Sequence, residues 1–185
     1  KGLILTVKHQ DGFCLWPSAY TDHCVSASKW KQGRGDVVAE CAAACREFGI
    51  KFGVYLSIWD RHEETYGTSA YNDFFKNQLR ELLTDYGDIF CVWLDSTGCG
   101  DPVRDHDMEG WVKLIRELQP NAVIAGCGCD VRWCGNDFGV CRRSEWSVVP
   151  YYYSDLETVR LAGQTDISRP PKKINSAALD LGSRK

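Results

Sequence analysis

The chain has 185 residues, with 22 basic and 25 acidic side chains and a formal net charge of −3. Hydrophobic residues make up 44% and charged residues 25%, as in an ordinary globular domain, and seven Trp, eight Tyr and seven Phe argue against disorder. Every apolar run is shorter than the roughly 18 residues of a membrane-spanning helix, and the basic stripe of a nucleic-acid-binding surface is absent. The composition therefore predicts neither a membrane nor a nucleic acid as a partner.

The first part of the chain begins with a strand pattern and continues to a helix pattern. A strand-like run at residues 3–8 is followed by a loop at 10–35. The amphipathic stretch at 36–48 predicts a helix, with Asp36 as its N-cap and Gly49 as its stop. This order predicts a strand, a long loop and a helix at the start of the chain.

The same alternation continues through the middle of the chain. The apolar run at 51–57 predicts a strand that is buried on both faces. The stretch at 69–86 predicts the clearest helix, because its apolar side chains fall on one face, where only Gln78 is polar. The further elements predicted in chain order are a strand at 89–94, a helix at 108–118, a strand at 122–126 and a strand at 142–148.

Alternating strands and helices at this spacing predict βαβ units and a parallel sheet. A doubly wound sheet and a (β/α)8 barrel both produce the pattern, but no glycine-rich nucleotide-binding motif follows any strand. Polar and aromatic residues instead come directly after three strands: His9 and Asp11, then residues 59–62, then Asp95. Enzymes built on β/α barrels place their chemistry there. We therefore predict an α/β fold, a partial (β/α)8 TIM-type barrel with about four to five of the eight strands present.

The length bears on how much of a barrel the chain holds. A (β/α)8 barrel typically needs about 250 residues, and this chain opens on Lys1 rather than Met, with a strand-like run at once. We expect residues 1–150 to be the central part of a barrel catalytic domain, beginning near its third strand. Residues 151–185 are expected to be a poorly defined continuation of the same domain. The sequence indicates no compartment and no oligomeric state.

Ten cysteines are more than a chain of this length usually has. The first interpretation is that they are buried free thiols that pack as small hydrophobes, and a zinc site or disulfides among the last four are the alternatives. A zinc site would have to use Cys127, Cys129, Cys134 and Cys141. Their spacing, C-x-C-x4-C-x6-C, is not that of the paired cysteine modules that bind zinc. We therefore predict no metal and no cofactor.

Two carboxylates are candidates for catalysis. Asp95 ends the buried run Cys-Val-Trp-Leu-Asp, although capping the next loop or pairing with an arginine would equally explain it. Glu145 stands beside Trp146, whose indole would partly desolvate it and suit it to general-acid work. An ion pair with Arg142 or Arg143 is the alternative for this carboxylate. Together the two suggest glycoside hydrolysis, in which one carboxylate attacks the anomeric carbon and the other protonates the leaving oxygen.

Several side chains near the predicted strand ends are suited to binding a sugar. A neutral His9 would offer one hydrogen-bond donor and one acceptor to sugar hydroxyls. Trp16, Tyr55 and Trp59 have rings that could stack on a pyranose, and core packing is the alternative for each of them. Serine-hydrolase and zinc-protease motifs are both absent.

Six segments stand in a recognisable order. They are LTVKHQDGFCLW at 5–16 with YTD at 20–22, KFGVYLS at 51–57, WDRH at 59–62, VWLD at 92–95, IRELQPN at 115–121 and SEWS at 144–147; DLGSR at 180–184 follows them. These segments resemble the motifs of α-L-fucosidases, glycoside hydrolase family 29. The resemblance covers nearly the whole chain.

The resemblance implies a retaining α-L-fucosidase that acts on fucosylated oligosaccharides or glycoconjugates. Asp95 matches the family's nucleophile. Glu145 matches the acid/base of the branch whose motif resembles T-E-W-S, and that branch favours α-1,3/4-linked fucose. The alternative is an inactive fragment or a fucose-binding pseudoenzyme of the same fold, because Gln10 and the stretch at 96–98 depart from the family pattern and parts of the family's sequence are not in this chain.

The resemblance also implies substrate contacts. His9 matches a fucose-binding histidine. Gln10 replaces the second histidine of the family motif, and we expect it to contact the substrate from that position. Trp16 and Tyr55 match the wall of the pocket. With Trp59, which follows the second strand, these residues form the predicted substrate-binding set.

Overall fold

A computed structural model describes residues 1–95, 106–126 and 130–132. In these ranges a parallel sheet packs against helices. The strands are β1 (Gly2–Lys8), β2 (Lys51–Ser57), β3 (Cys91–Asp95), β4 (Val123–Gly126) and β5 (Val131–Arg132). The helices are α1 (Val37–Glu47), α2 (Ser69–Asp85) and α3 (Met108–Leu118), with 3-10 turns at Val25–Ala27 and Trp30–Gly33.

The five strands lie side by side in chain order, and all neighbours pair in parallel. Crossover connections between parallel strands have one handedness. When each connection also leads to the next strand in the same direction, their helices lie on the same face of the sheet. Val54, Leu56, Val92 and Leu94 are fully buried, and they share one core with the helices. The predicted α/β fold with a parallel sheet is confirmed. A closed barrel is not among the features that the described ranges contain.

β5 is reached differently from the other strands. It follows β4 after residues 127–130, whereas a crossover between parallel strands usually takes about a dozen residues or more. β5 is therefore a short extension of the sheet and not a further βαβ unit, and the sequence pattern does not predict it. The predicted strand at 142–148 and the continuation at 151–185 lie outside the described residues.

The predicted helices and the first four strands are confirmed to within about two residues at their ends. The ends of α1 illustrate why. The backbone N–H of Ala39 donates to Oδ1 of Asp36 at 2.8 Å, which makes Asp36 the N-cap. Gly49 follows α1 with a φ of +64°, a conformation that glycine adopts without strain.

α2 packs one apolar face onto the sheet. The buried apolar side chains of this face are Tyr71, Phe75, Leu79, Leu82 and Leu83. Gln78 lies on the same face and is also fully buried, as its position in the sequence predicts. Its burial is explained by a charged partner on β1, described below. Within the described ranges, no helix combines the length and the apolar character that crossing a membrane requires.

Candidate active site at the carboxyl edge of the sheet

The carboxyl ends of β1, β2 and β3 meet at one edge of the sheet. Ser57, the last residue of β2, is in register with Asp95, the last residue of β3. The backbone N–H of Ile58 then donates to the carbonyl oxygen of Asp95 at 2.8 Å. Lys8 ends β1 opposite Leu56. The residues that follow these three strands are therefore neighbours, as the sequence predicts.

An irregularity in β1 decides which side chains reach this edge. Thr6 is in register with Tyr55, and the next registered residue of β1 is Lys8, opposite Leu56. Two residues of β1 thus span one step of β2, which is a β-bulge. Because alternate residues of a strand face opposite sides, the bulge turns Lys8 toward the helices and returns His9 to the side of Tyr55. The His9 and Tyr55 rings stack accordingly, with centroids 5.9 Å apart and planes at 10°.

Asp95 is half-buried at this edge. Its Oδ2 accepts a hydrogen bond from the hydroxyl of Tyr55, which reaches across from β2. Among the residues described, Asp95 forms no ion pair. The side chain is thus held by a neutral donor on a neighbouring strand, which orients the carboxylate.

Trp93 also belongs to the site, although it was not among the residues predicted to bind substrate. It lies two residues before Asp95 on β3 and therefore faces the same side of the sheet. Its ring centroid is 5.9 Å from that of Tyr55, with the planes at 56°. Gly126 of β4 makes room for the indole, because a Cβ at this position would come within 2.7 Å of Trp93 Cδ1. The i, i+2 spacing from Asp95 is the sequence signal that could have identified Trp93.

The loops after β1 and β2 are tied together beside these rings. The backbone N–H of Arg61 donates to the carbonyl oxygen of Gln10 at 2.9 Å. The guanidinium carbon of Arg61 lies 5.8 Å from the centroid of the Trp59 ring, which is half-buried. Gln10 and Trp59, both predicted to bind substrate, thus lie on two loops that are in direct contact.

Trp16, also predicted to contact the sugar, is buried in the structure. The Trp16 side chain is 1% exposed and belongs to the core between the sheet and α2. Its indole N–H donates to Oε2 of Glu81 at 2.8 Å, and Ser18 Oγ donates to the same oxygen at 2.9 Å. A ring buried in this way cannot stack on a sugar. Trp16 instead anchors the long β1 loop to α2, which was the packing alternative for this residue.

Glu145, the predicted acid/base, lies outside the described residues, and so do Cys127, Cys129, Cys134 and Cys141. The described cysteines are free thiols; Cys14, Cys24, Cys45 and Cys91 are buried and Cys41 is half-buried. Burial raises the pKa of the Cys14 thiol to about 12. These thiols therefore pack as small hydrophobes, as the first interpretation of the cysteines predicts. In the ranges that the structure covers, no three metal-binding side chains converge.

A buried ion pair lies between the site and α2. Lys8 Nζ donates to Oδ2 of Asp60 and to Oε1 of Gln78, at 2.8 Å each. The Lys8 and Asp60 side chains are 0% and 2% exposed. Burial acts to raise the pKa of Asp60, but the Lys8 ammonium and the loop amides that bind the carboxylate outweigh it and hold the pKa below its usual value. We call Lys8, Asp60 and Gln78 the Lys8 cluster.

Comparison with known proteins places these features in a family. The family profile described as alpha-L-fucosidase matches residues 1–148. Alpha-L-fucosidase 1 of Arabidopsis thaliana is 52% identical over 149 residues, which are 79% of this chain and 29% of that protein. The chain thus spans less than a third of the length of this relative.

Solved structures share both the fold and the sequence. A glycoside hydrolase 29 family member from a rumen bacterium aligns with a TM-score of 0.74 and 44% identity, covering 88% of this chain and 32% of that chain. A GH29 fucosidase of Ruminococcus gnavus in complex with fucose aligns with a TM-score of 0.69 and 35% identity, covering 80% of this chain and 35% of that chain. The chain belongs to the alpha-L-fucosidase family, glycoside hydrolase family 29.

Proposed function

We propose that the protein is a retaining α-L-fucosidase with Asp95 as its nucleophile. The position of Asp95 carries the proposal: it ends buried strand β3, and the Tyr55 hydroxyl holds its Oδ2. This is the end of the strands at which β/α-barrel enzymes carry their chemistry. The proposal includes a (β/α)8 barrel as the complete catalytic domain, of which residues 1–150 are the central part.

In the proposed reaction, Asp95 attacks the anomeric carbon of the fucosyl group. The bond to the leaving sugar breaks as Glu145 protonates the leaving oxygen, and a fucosyl ester of Asp95 results. Glu145 then takes a proton from water, which hydrolyses the ester and gives net retention. With Oδ2 held by Tyr55, Oδ1 of Asp95 is the attacking oxygen. The assignment of Glu145 rests on the match of its S-E-W-S segment to the family.

The rings and amides around Asp95 supply the fucose contacts in this proposal. His9 and Gln10 hydrogen-bond the sugar hydroxyls, since an imidazole and an amide each offer a donor and an acceptor. Tyr55 and Trp93 present ring surface to the apolar side of the sugar. The Ruminococcus gnavus relative, solved with fucose, supports this ligand class for the family.

The substrate class is a terminal α-linked fucose on an oligosaccharide or glycoconjugate. The preference for α-1,3/4 linkages rests on the S-I-W-D-R-H and S-E-W-S segments, which resemble one branch of the family. Parallel assays of a branched Lewis-type oligosaccharide and an α-1,2-linked fucoside test it. Faster release from the Lewis-type substrate is expected, and the opposite order would contradict the linkage assignment.

The nucleophile is tested with Asp95→Ala. We expect the hydrolysis of an aryl α-L-fucoside to fall by about 10³-fold or more, because the covalent step has no attacking group. Azide added to this variant occupies the vacated space and attacks the same face. The product should therefore be β-L-fucosyl azide, identified by NMR, while the wild-type protein first releases α-L-fucose.

Asp88 provides the matched control, because it is an exposed aspartate shortly before the other end of β3. Asp88→Ala should keep wild-type turnover. Near-normal fucose release by Asp95→Ala, or no azide product, would refute the nucleophile. Fucose binding by the wild-type protein in calorimetry without any hydrolysis would instead support the pseudoenzyme alternative.

A further inference from the structure

The Lys8 cluster is a buried charge with an unusually complete set of partners. A buried ammonium is costly unless it is paired and hydrogen-bonded. Lys8 Nζ has two oxygen acceptors, on Asp60 and on Gln78. Three aromatic rings of α2 surround the same nitrogen, with centroids 5.4–5.9 Å away: those of Tyr71, Phe74 and Phe75. The lysine therefore links the end of β1 to the loop after β2 and to α2.

The second oxygen of Asp60 organises the loop after β2. Oδ1 accepts hydrogen bonds from the backbone N–H groups of His62 and Glu63, at 3.0 Å each. The carboxylate thus uses one oxygen for Lys8 and the other for its own loop. Trp59 and Arg61, which flank Asp60 in sequence, are carried by the segment that this carboxylate holds.

The turn after β1 rests against the same carboxylate. Gly12 has a φ of +79°, and a Cβ at this position would lie 2.3 Å from Asp60 Oδ1. The backbone N–H of Gly12 donates to the carbonyl oxygen of His9 at 3.0 Å, which closes the turn. Lys8 precedes His9 directly, so both sides of this turn are fixed relative to Asp60.

We propose that the Lys8 cluster is a positioning device that sets the placement of His9 and Gln10 relative to Trp59, and thereby the affinity of the site for the fucosyl group. The proposal rests on the fucosidase function proposed above and deepens it. The residues of the cluster act through the segments they hold and not by touching the sugar. A displacement of such segments by a fraction of an ångström weakens hydrogen bonds to the sugar hydroxyls.

Single substitutions in the cluster would leave a buried charge unpaired, so the test uses two double variants. K8M/D60N removes both charges, and the carbonyl oxygen of the introduced side-chain amide still accepts from the backbone amides of the loop. K8M/D60L removes both charges and both carboxylate oxygens of Asp60, and it keeps the branched shape of the side chain with somewhat more bulk. Replacing both members of a buried ion pair together preserves folding far better than removing one. Thermal unfolding and circular dichroism verify that each variant is folded.

Steady-state kinetics on an aryl α-L-fucoside then give the decisive comparison. We expect KM to rise about threefold in K8M/D60N and about tenfold in K8M/D60L, with kcat within about threefold of the wild type in both. The matched control is E40Q, which removes the exposed pair of Lys31 and Glu40 and should leave KM unchanged. Calorimetry with L-fucose should reproduce the order of affinities without turnover.

A purely structural role would lower kcat in proportion to the loss of folded protein and leave KM unchanged, and that result overturns the proposal. Equal KM in the two double variants overturns it as well. If the wild-type protein neither hydrolyses nor binds fucosides, the proposed function fails. Hydrogen exchange then tests the positioning role of the Lys8 cluster independently of fucose. Faster exchange at 9–12 and 59–63 in K8M/D60L, with β4 unchanged, supports the positioning role; unchanged exchange there refutes it.

Discussion

Two lysine–carboxylate pairs in this chain have similar geometry and opposite surroundings. Lys8 and Asp60 are 2.8 Å apart with side chains 0% and 2% exposed, whereas Lys31 and Glu40 are 2.6 Å apart with side chains 50% and 51% exposed. The first pair joins elements 52 residues apart, and the second joins a loop to the neighbouring helix α1. The contact distance therefore says little about how much an ion pair contributes to stability, because that contribution depends on burial.

The largest expected effect comes from breaking the buried pair on one side. Lys8→Met should destabilise the protein by about 3–5 kcal/mol, because it leaves the Asp60 carboxylate buried without its cation. Urea denaturation measures this change. K8M/D60N should recover most of the loss. A loss below about 1 kcal/mol in the single variant would mean that the pair behaves like a surface pair.

The second largest effect should come from acid, which weakens the buried pair of Lys8 and Asp60. The folded-state pKa of Asp60 is below its usual value, so its contribution is complete above the unfolded-state pKa and is lost as the pH falls through the folded-state value. Stability measured from about pH 6 downward should therefore fall more steeply in the wild type than in K8M/D60N. Parallel curves for the two proteins below about pH 4 would contradict this assignment.

The exposed pair should give the smallest effect. Glu40→Gln is expected to change the free energy of unfolding by less than about 0.5 kcal/mol, because solvent and salt screen both charges. Urea denaturation at low and high salt checks the value, and the small difference should vanish at high salt. A loss as large as that of Lys8→Met would remove the contrast between the two pairs.

The secondary structure could be predicted because its causes are local. Continuous apolar runs identified β2 and β3, and the one-sided apolar pattern identified α2. β5 could not be predicted in the same way, because a two-residue strand has no period to detect. Its pairing with Ala125 and Gly126 exists only once β4 is in place.

The residues of the candidate site that could be predicted are those placed by the ends of the strands. Asp95 ends a strand and His9 follows one, and parallel strands bring such residues to one edge. The burial of Trp16 and its hydrogen bond to Glu81, 65 residues away, are long-range features that the local sequence does not show. Lys8 was overlooked for a similar reason: a lysine beside a loop is usually solvated, and its partner Gln78 is 70 residues away. The polar residue on the apolar face of α2 was the one indication of that contact.

The bulge in β1 changes which residues of the chain face each side of the sheet. Before it, the side chains alternate in one phase; after it, they alternate in the opposite phase. Two adjacent residues, Lys8 and His9, therefore serve opposite faces, one stabilising the interior and one facing the proposed chemistry. Deleting Val7 alone would keep almost the entire composition and yet shift the phase of everything that follows. The extra residue therefore acts as a spacer: it sets which residues after it face the helices and which face the site.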